Sequence, residues 1–385
     1  MSDRGRALAI LAFSLVLSMT TWFSASAVVP QLRSEWSLSS TGAAWLTIAV
    51  QLGFVAGALV SSVLNVADVF SPQSVILTGA LGAAAANALL GAAGGAAAGI
   101  PLRLATGFFL AGVYPPALKL MATWFRSGRG LALGTCVGAL TLGSALPHLV
   151  NGLGGLDWHV VIYATSVLTV LGGFVARFGV ADGPFPFPRG TFAPRQARFV
   201  FANRGVRLAS LGYFGHMWEL YAMWAWFVVF FRADHGPGTG AAYATFAVIG
   251  AGALGCVAGG YLGDRWGRPQ TTAAMMVASG SCAVAIGLVA QWSAWLALAV
   301  GLVWGFTVVA DSAQFSTIVT ELADQAYVGT ALTLQLAVGF TLTVATIWLI
   351  PVLERDVGWE WAFAFLAPGP LVGTLAMLRL RRGAA

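Results

Sequence analysis

The chain has 385 residues and a formal net charge of +6; 58% of them are hydrophobic, 9% are charged, and the mean hydropathy is +0.81. Globular domains in water carry roughly 25% charged residues, so this chain could not cover a water-facing surface with the charges it has. The positive charge lies in short loops between apolar blocks, which argues against nucleic acid as its partner.

The blocks are about 20 residues long, the length of a helix across a hydrocarbon core. They lack the alternation of a membrane β-barrel. The first covers 7–29. It has the basic start and Ala-x-Ala-like end of a secretory signal. Its apolar run nevertheless continues past Ala27 to Pro30, and its removal would leave an odd number of crossings in a chain that looks duplicated. It is therefore read as a span. The following spans are 42–64, 74–94, 98–121, 130–151 and 159–180. Residues 181–206 are rich in Pro, Arg and Gly and read as a linker. The second set covers 207–231, 241–262, 272–290, 293–316, 327–350 and 360–380. The expectation is an all-α membrane protein of about twelve transmembrane helices in two pseudo-symmetric six-helix bundles. The units are 1–180, a cytoplasmic linker 181–206, and 207–385.

Arginine placement orients the chain. With both termini inside, the inner loops hold Arg4, Arg6, Arg126, Arg129, Arg265, Arg268 and the linker and C-terminal arginines. The outer loops hold Arg33, Arg232 and Arg355. Cys136, Cys256 and Cys282 all fall inside apolar blocks and read as small buried hydrophobes. No nucleotide loop, metal-ligand cluster or nucleophile spacing stands out, so no enzyme activity, cofactor or metal is expected.

The halves echo each other. "VLNVADVFSPQ" (63–73) and "GYLGDRWGRPQ" (260–270) follow the second span of each half. "RLATGFFLAGVYPPA" (103–117) and "GLVWGFTVVADSAQ" (301–314) occupy matching places in the fourth. Tandem six-helix repeats mark many secondary transporters, with a site at the repeat interface near the midplane.

These segments resemble the major facilitator superfamily. Gly260, Leu262, Asp264, Arg265, Gly267 and Arg268 look like that family's loop motif. The first-half copy keeps Asp68 but has Val69, Phe70 and Ser71 where Arg, an apolar residue and Gly are expected. Arg103, Gly107 and Ala111 look like its fourth-span motif. The Gly-Pro element of drug/proton antiporters is missing from "GTCVGALTLGSALPHLV" (134–150). The resemblance implies a monomeric, multi-pass transporter of the bacterial cytoplasmic membrane, working by alternating access. Proton-coupled uptake of a small organic solute or anion is the first expectation. Proton-driven efflux of a drug-like hydrophobic compound is the alternative.

By the same resemblance Asp264, with Arg265, Arg268, Asp68 and Glu321, forms an inner gate. Asp264 is expected against the start of the fifth span near Gly128 to Gly130, and an arginine against Glu321 or Asp324. Against this stands the reading that the arginines only fix topology.

The seventh span contains "YFGHMWELYAMW" (213–224). An acid at a helix centre costs about 2.5–3.5 kcal/mol on insertion scales, so Glu219 must face a bundle interior or a wet cavity. His216 lies three residues before it, about 60° away around the helix. The span lines the central cavity in the superfamily, so Glu219 is expected to face water there. Proton coupling, binding of a cationic or hydroxyl-bearing substrate, and a structural His–Glu pair all remain open. Asp311 and Gln314 in the tenth span, Arg103 and Tyr114 in the fourth, Trp22 in the first, and Tyr213 and Trp226 complete the expected substrate and proton pathway. Arg103 has a snorkelling alternative, and His148 is read as structural. Gly134 and Gly138 in the fifth span, with Gly255 and Gly259 in the eighth, have the small-xxx-small spacing of close helix contacts and are read as sliding surfaces between the halves.

Overall fold

The structure is a computed structural model. It describes residues 2–125, 128–155, 157–185, 201–236, 238–324 and 328–382, without the side chains of residues 67, 68, 234 and 235. In the first half, α1 (Asp3–Ser18) passes through a tight turn at Met19–Thr21 into α2 (Ser24–Ala27). There follow α3 (Val29–Glu35), α4 (Ser40–Val63), α5 (Val66–Val69), α6 (Pro72–Leu90), α7 (Ala96–Leu110), α8 (Tyr114–Ala122), α9 (Arg129–Leu153) and α10 (Trp158–Gly179). The second half has α11 (Arg204–His235), α12 (Gly240–Trp266), α13 (Arg268–Ala290), α14 (Ala294–Ala310), α15 (Ser312–Leu322), α16 (Val328–Ala362) and α17 (Pro368–Arg382).

Ten stretches among the described residues are long and apolar enough to cross a membrane. The last of them, Val328–Arg382, bends at Gly358, whose φ of 73° only glycine adopts readily, and so holds two crossings. The stretch α11 falls below the hydropathy of the ten because of His216, Glu219 and its flanking arginines, yet its 32 residues suffice to span. Twelve crossings result. The outer surface carries apolar side chains suited to lipid, with Trp292 and Trp295 at a helix end, where indoles favour the membrane interface.

Three crossings are broken. The first breaks at Trp22 and Phe23, between the tight turn and α2. The fourth breaks at Ala111–Val113 between α7 and α8, and the tenth at Asp311 between α14 and α15. Each break leaves backbone groups without an in-helix partner at membrane depth, which is tolerated only inside protein or along a cavity.

The duplication is visible in the packing. A side chain at Gly57 would strike the Phe108 carbonyl and one at Gly107 the Val50 carbonyl. A single constant shift along the chain carries these contacts to Gly255 against Phe306 and Gly305 against Val248. Gly255 and Gly259 thus serve the α12–α14 contact within their own half, against the expectation that they face α9.

The halves meet mainly where α9 packs on α12 and α4 on α16. A Cβ at Gly134 would stand 2.6 Å from the Cys256 carbonyl oxygen, and one at Gly138 would stand 2.9 Å from that of Ala253. Toward the arginine-rich end, Gly260 packs on the Gly130 backbone, and the Ser62 and Thr333 hydroxyls stand 3.3 Å apart. At the other end Gly152 packs on the Tyr243 ring. The halves touch at both ends of the space between them.

Candidate functional site

That space is a cavity of about 100 Å³ between α8, α9, α11, α14, α15 and α16. Its walls include Tyr114, Leu140, Tyr213, Tyr221, Trp224, Ser312, Ser316 and Phe340. Among the described residues none of its lining side chains is charged. Drug-sized ligands need pockets of about 300–1,000 Å³, so this cavity is too small to enclose one. A layer of rings bridges the halves beside it. Trp22 lies 6.1 Å from Tyr221 and 5.7 Å from Phe340, and Phe54 lies 4.8 Å from Phe340.

The structural His216–Glu219 pair, one of the three readings the sequence left open, does not form. His216 Nδ1 instead stands 2.8 Å from Asp311 Oδ1, both side chains buried. Asp311 occupies the N-terminal cap position of α15, where helix partial charge favours an anion. Tyr213 lies between this pair and the cavity, its ring 6.1 Å from His216. Glu219 points the other way, against the expectation that it faces the cavity. Its carboxylate accepts from Ser279 Oγ at 2.9 Å and Trp304 Nε1 at 2.7 Å, between α11, α13 and α14. The 60° between residues 216 and 219 decides the outcome, because α11 has helices on all sides and each face meets a different neighbour. Ser279 and Trp304 were not singled out from the sequence. One of two serines in an apolar span and an indole two turns before Asp311 were the only signals.

At the arginine-rich end, Arg268 donates through Nε and Nη2 to both oxygens of Glu321 at 2.9–3.2 Å. It lies 3.3 Å from Asp264 Oδ1 and donates from Nη1 to Gln314 Oε1 at 3.0 Å. The Asp264 carboxylate abuts Gly130 of the opposite half, where a Cβ would stand 2.6 Å from Oδ1. Glycine at 130 and the left-handed Gly128 cap let the acid approach the first turn of α9. Gln314 therefore belongs with this cluster and not with the cavity. Arg265 does not join it. Its guanidinium lies over the Tyr261 ring at 5.2 Å. The Asp68 side chain lies outside the described residues.

Arg103 neither snorkels nor faces the cavity. It is fully buried within the first half. Its guanidinium donates to the carbonyls of Thr21, Trp22 and Leu46, to Ser24 Oγ and to Asn87 Oδ1. Two of those carbonyls are the ones freed by the break in the first crossing. Trp226, also expected in the pathway, donates to the Ile347 carbonyl at 2.9 Å and packs inside the second half.

Some fully buried polar atoms find no protein partner among the described residues. They include the indole nitrogens of Trp22 and Trp224, both amide atoms of Gln51, the Ser144 hydroxyl and both ring nitrogens of His148.

The sequence profile of the Major Facilitator Superfamily matches residues 11–346. The chain belongs to the Major Facilitator Superfamily. Its fold is that of a transporter in this superfamily. A crystal structure of a bacterial homologue of the human lysosomal transporter Spinster, inward-facing and occupied, matches with TM-score 0.73 at 14% identity, over 99% of this chain and 97% of that one. The human organic anion transporter MFSD10 matches with TM-score 0.72 at 13% identity, over 98% and 100%. The puromycin resistance protein pur8 of Streptomyces alboniger is 31% identical over 147 residues. That match covers 37% of this chain and 29% of the relative's length.

Proposed function

We propose that this superfamily member is a proton-coupled exporter of small, uncharged or weakly charged compounds with an aromatic portion. The observation that carries the reading is the cavity between the halves, walled by rings and aliphatic groups, with the buried His216–Asp311 pair beside it. Among the described residues the one arginine or lysine that is fully buried, Arg103, is held by acceptors of its own half, which counts against the anion expected from sequence. The drug-resistance relative supports export over uptake.

The motion is a rocking of two rigid units, residues 1–180 and 207–385, in a monomer of the cytoplasmic membrane with both termini inside. Asp311 exchanges the coupled proton. The short helix α15 begins at Asp311 and carries Gln314 and Glu321, the two side chains that hold Arg268. A change at the His216–Asp311 contact is thereby passed to Arg268, to Asp264, and to the first turn of α9 across the interface. Neutralising Asp311 loosens its tie to His216 and lets α15 shift, which frees the inner gate.

The test uses purified protein in liposomes, with puromycin and a set of neutral aromatic compounds. Antiport predicts accumulation when the lumen is acidic, since a proton leaves as the compound enters. Accumulation only with an alkaline lumen would restore symport uptake. Transport indifferent to both gradients would remove proton coupling.

A further inference from the structure

Orphaned polar atoms occur in both halves, at Ser210, Thr271, Thr272 and Gln335 among others, but five side chains with such atoms lie around the break in the first crossing. On α9 the cavity-lining stripe Leu133, Val137, Leu140 continues at helical spacing into Ser144 and His148. On α4 the stripe Thr47, Gln51, Phe54 faces the first crossing. Thr47 bonds Ser26 at 2.7 Å and the Phe54 ring lies 4.7 Å from Trp22, so Gln51 sits between these two contacts. From the α9 side, Gly143 abuts Met19 and Asn151 donates to the Ala27 carbonyl, which brackets Ser144 and His148 along the same stretch. Gln51 and His148 therefore converge on the broken part of the first crossing from two sides. Trp22 belongs to that break, and Trp224 stacks edge-on against Phe23 at 5.5 Å.

Polar neighbours at the same depth are satisfied: Ser24, Asn87 and Arg103 bond one another, as do Ser26 and Thr47. Buried polar groups are nearly always paired. A group of five side chains left unpaired, beside paired ones and in line with the cavity, is the arrangement of a ligand site between its visits.

We propose that Gln51, Ser144 and His148, with the Trp22 and Trp224 indoles, form a second subsite for an uncharged hydrogen-bonding group, such as an amide or hydroxyl, on the transported compound. This inference rests on the exporter reading and specifies its substrate. Glutamine, serine and histidine each offer a donor and an acceptor, and the indoles add two donors. The subsite contains no carboxylate, lysine or arginine, so a full charge finds no counterpart in it. The aromatic part of the compound lies against Trp22, Tyr221 and Phe340, and its polar group reaches the subsite when the two halves part at that end.

The full-length protein in detergent, read by quenching of tryptophan fluorescence, tests this with three probes: 3-phenylpropanamide, 3-phenylpropanoate and propylbenzene. A site built around hydrogen bonds rejects the analogue that lacks them. The amide is expected to bind at least about tenfold more tightly than either other probe. Gln51→Leu and His148→Phe remove that preference and leave propylbenzene binding unchanged. Ser144→Ala, which deletes one hydroxyl and keeps the fold, reduces the preference in part. An unchanged amide preference in all three variants overturns the subsite, as does equal binding of amide and propylbenzene by the wild type. The liposome experiment fails independently: amide selectivity without gradient-driven transport removes the exporter reading and leaves the subsite standing.

Discussion

Two buried charged sites lie in opposite halves. Arg103 is a cation with no acid beside it among the described residues, surrounded by carbonyls, a hydroxyl and an amide. His216 and Asp311 are two ionisable groups facing each other, with Asp311 at a helix break. The first arrangement has one protonation state that suits it, because neutral acceptors cannot take the proton. The second has two partners able to exchange one. A buried charge with a full set of neutral partners belongs to the scaffold. A buried titratable pair at a break, near a cavity, belongs to the machinery.

The comparison breaks most sharply at Arg103. Replacing it with leucine takes one donor each from the Thr21, Trp22 and Leu46 carbonyls, from Ser24 Oγ and from Asn87 Oδ1. Each buried acceptor left unsatisfied costs about 1–3 kcal/mol. Arg103→Leu is expected to lose its monodisperse peak in size-exclusion chromatography and to lower the melting temperature of whatever folds. A stable Arg103→Leu protein with altered substrate affinity would move Arg103 to the machinery.

Asp311→Asn makes the opposite case. The amide is nearly isosteric and keeps a polar side chain at the cap position of α15, so folding is expected to persist. Gradient-driven transport should fall by about 5- to 150-fold, the range of a coupling free energy between sites, while exchange of compound without a gradient survives. Equal losses of both would mean that the pair positions substrate and does not couple it.

Asp264→Asn tests the link from that pair to the interface. Its carboxylate faces the first turn of α9, an interaction of roughly 0.3–1 kcal/mol, rising to about 2 kcal/mol when partly buried. Loss of that amount shifts the gate toward open. The measurement is maleimide labelling of Ser316→Cys, a cavity-lining position on α15. The native cysteines are buried. Faster labelling from the arginine-rich side is expected. Unchanged labelling and unchanged transport would reduce the loop motif to a topology signal.

The twelve crossings were legible because apolar block length is set by the bilayer, and the repeat because the motifs recur at matching places. Asp264 against Gly130 and Arg268 against Glu321 could be anticipated from the loop motif. The direction of Glu219 could not. Whether a residue inside a bundle faces a cavity or a neighbouring helix depends on helix rotation, and the hydrophobic pattern of a span buried on all sides does not report it. The partnership of His216 with Asp311 was hidden for a related reason: it depends on where the tenth crossing breaks, and no proline or glycine marks that point. Proline residues 115 and 116 do mark the start of α8 in the fourth crossing. The orphaned Gln51, Ser144 and His148 each look like an ordinary polar residue in a span. Only the bonds their neighbours make set them apart.

The smallest effect belongs to Arg265. It shares the loop motif with Asp264 and Arg268, yet it is exposed and stacks on Tyr261 of its own helix. An exposed cation–ring contact is worth about 0.5–1 kcal/mol, and it makes no link between the halves. Arg265→Gln should therefore leave gradient-driven transport within about twofold of wild type and barely move the melting temperature. The same change at Arg268 should behave like Asp264→Asn. If Arg265→Gln and Arg268→Gln proved equally harmful, charge at this end of α12 would matter in bulk, and the clamp at Glu321 and Gln314 would lose its special standing.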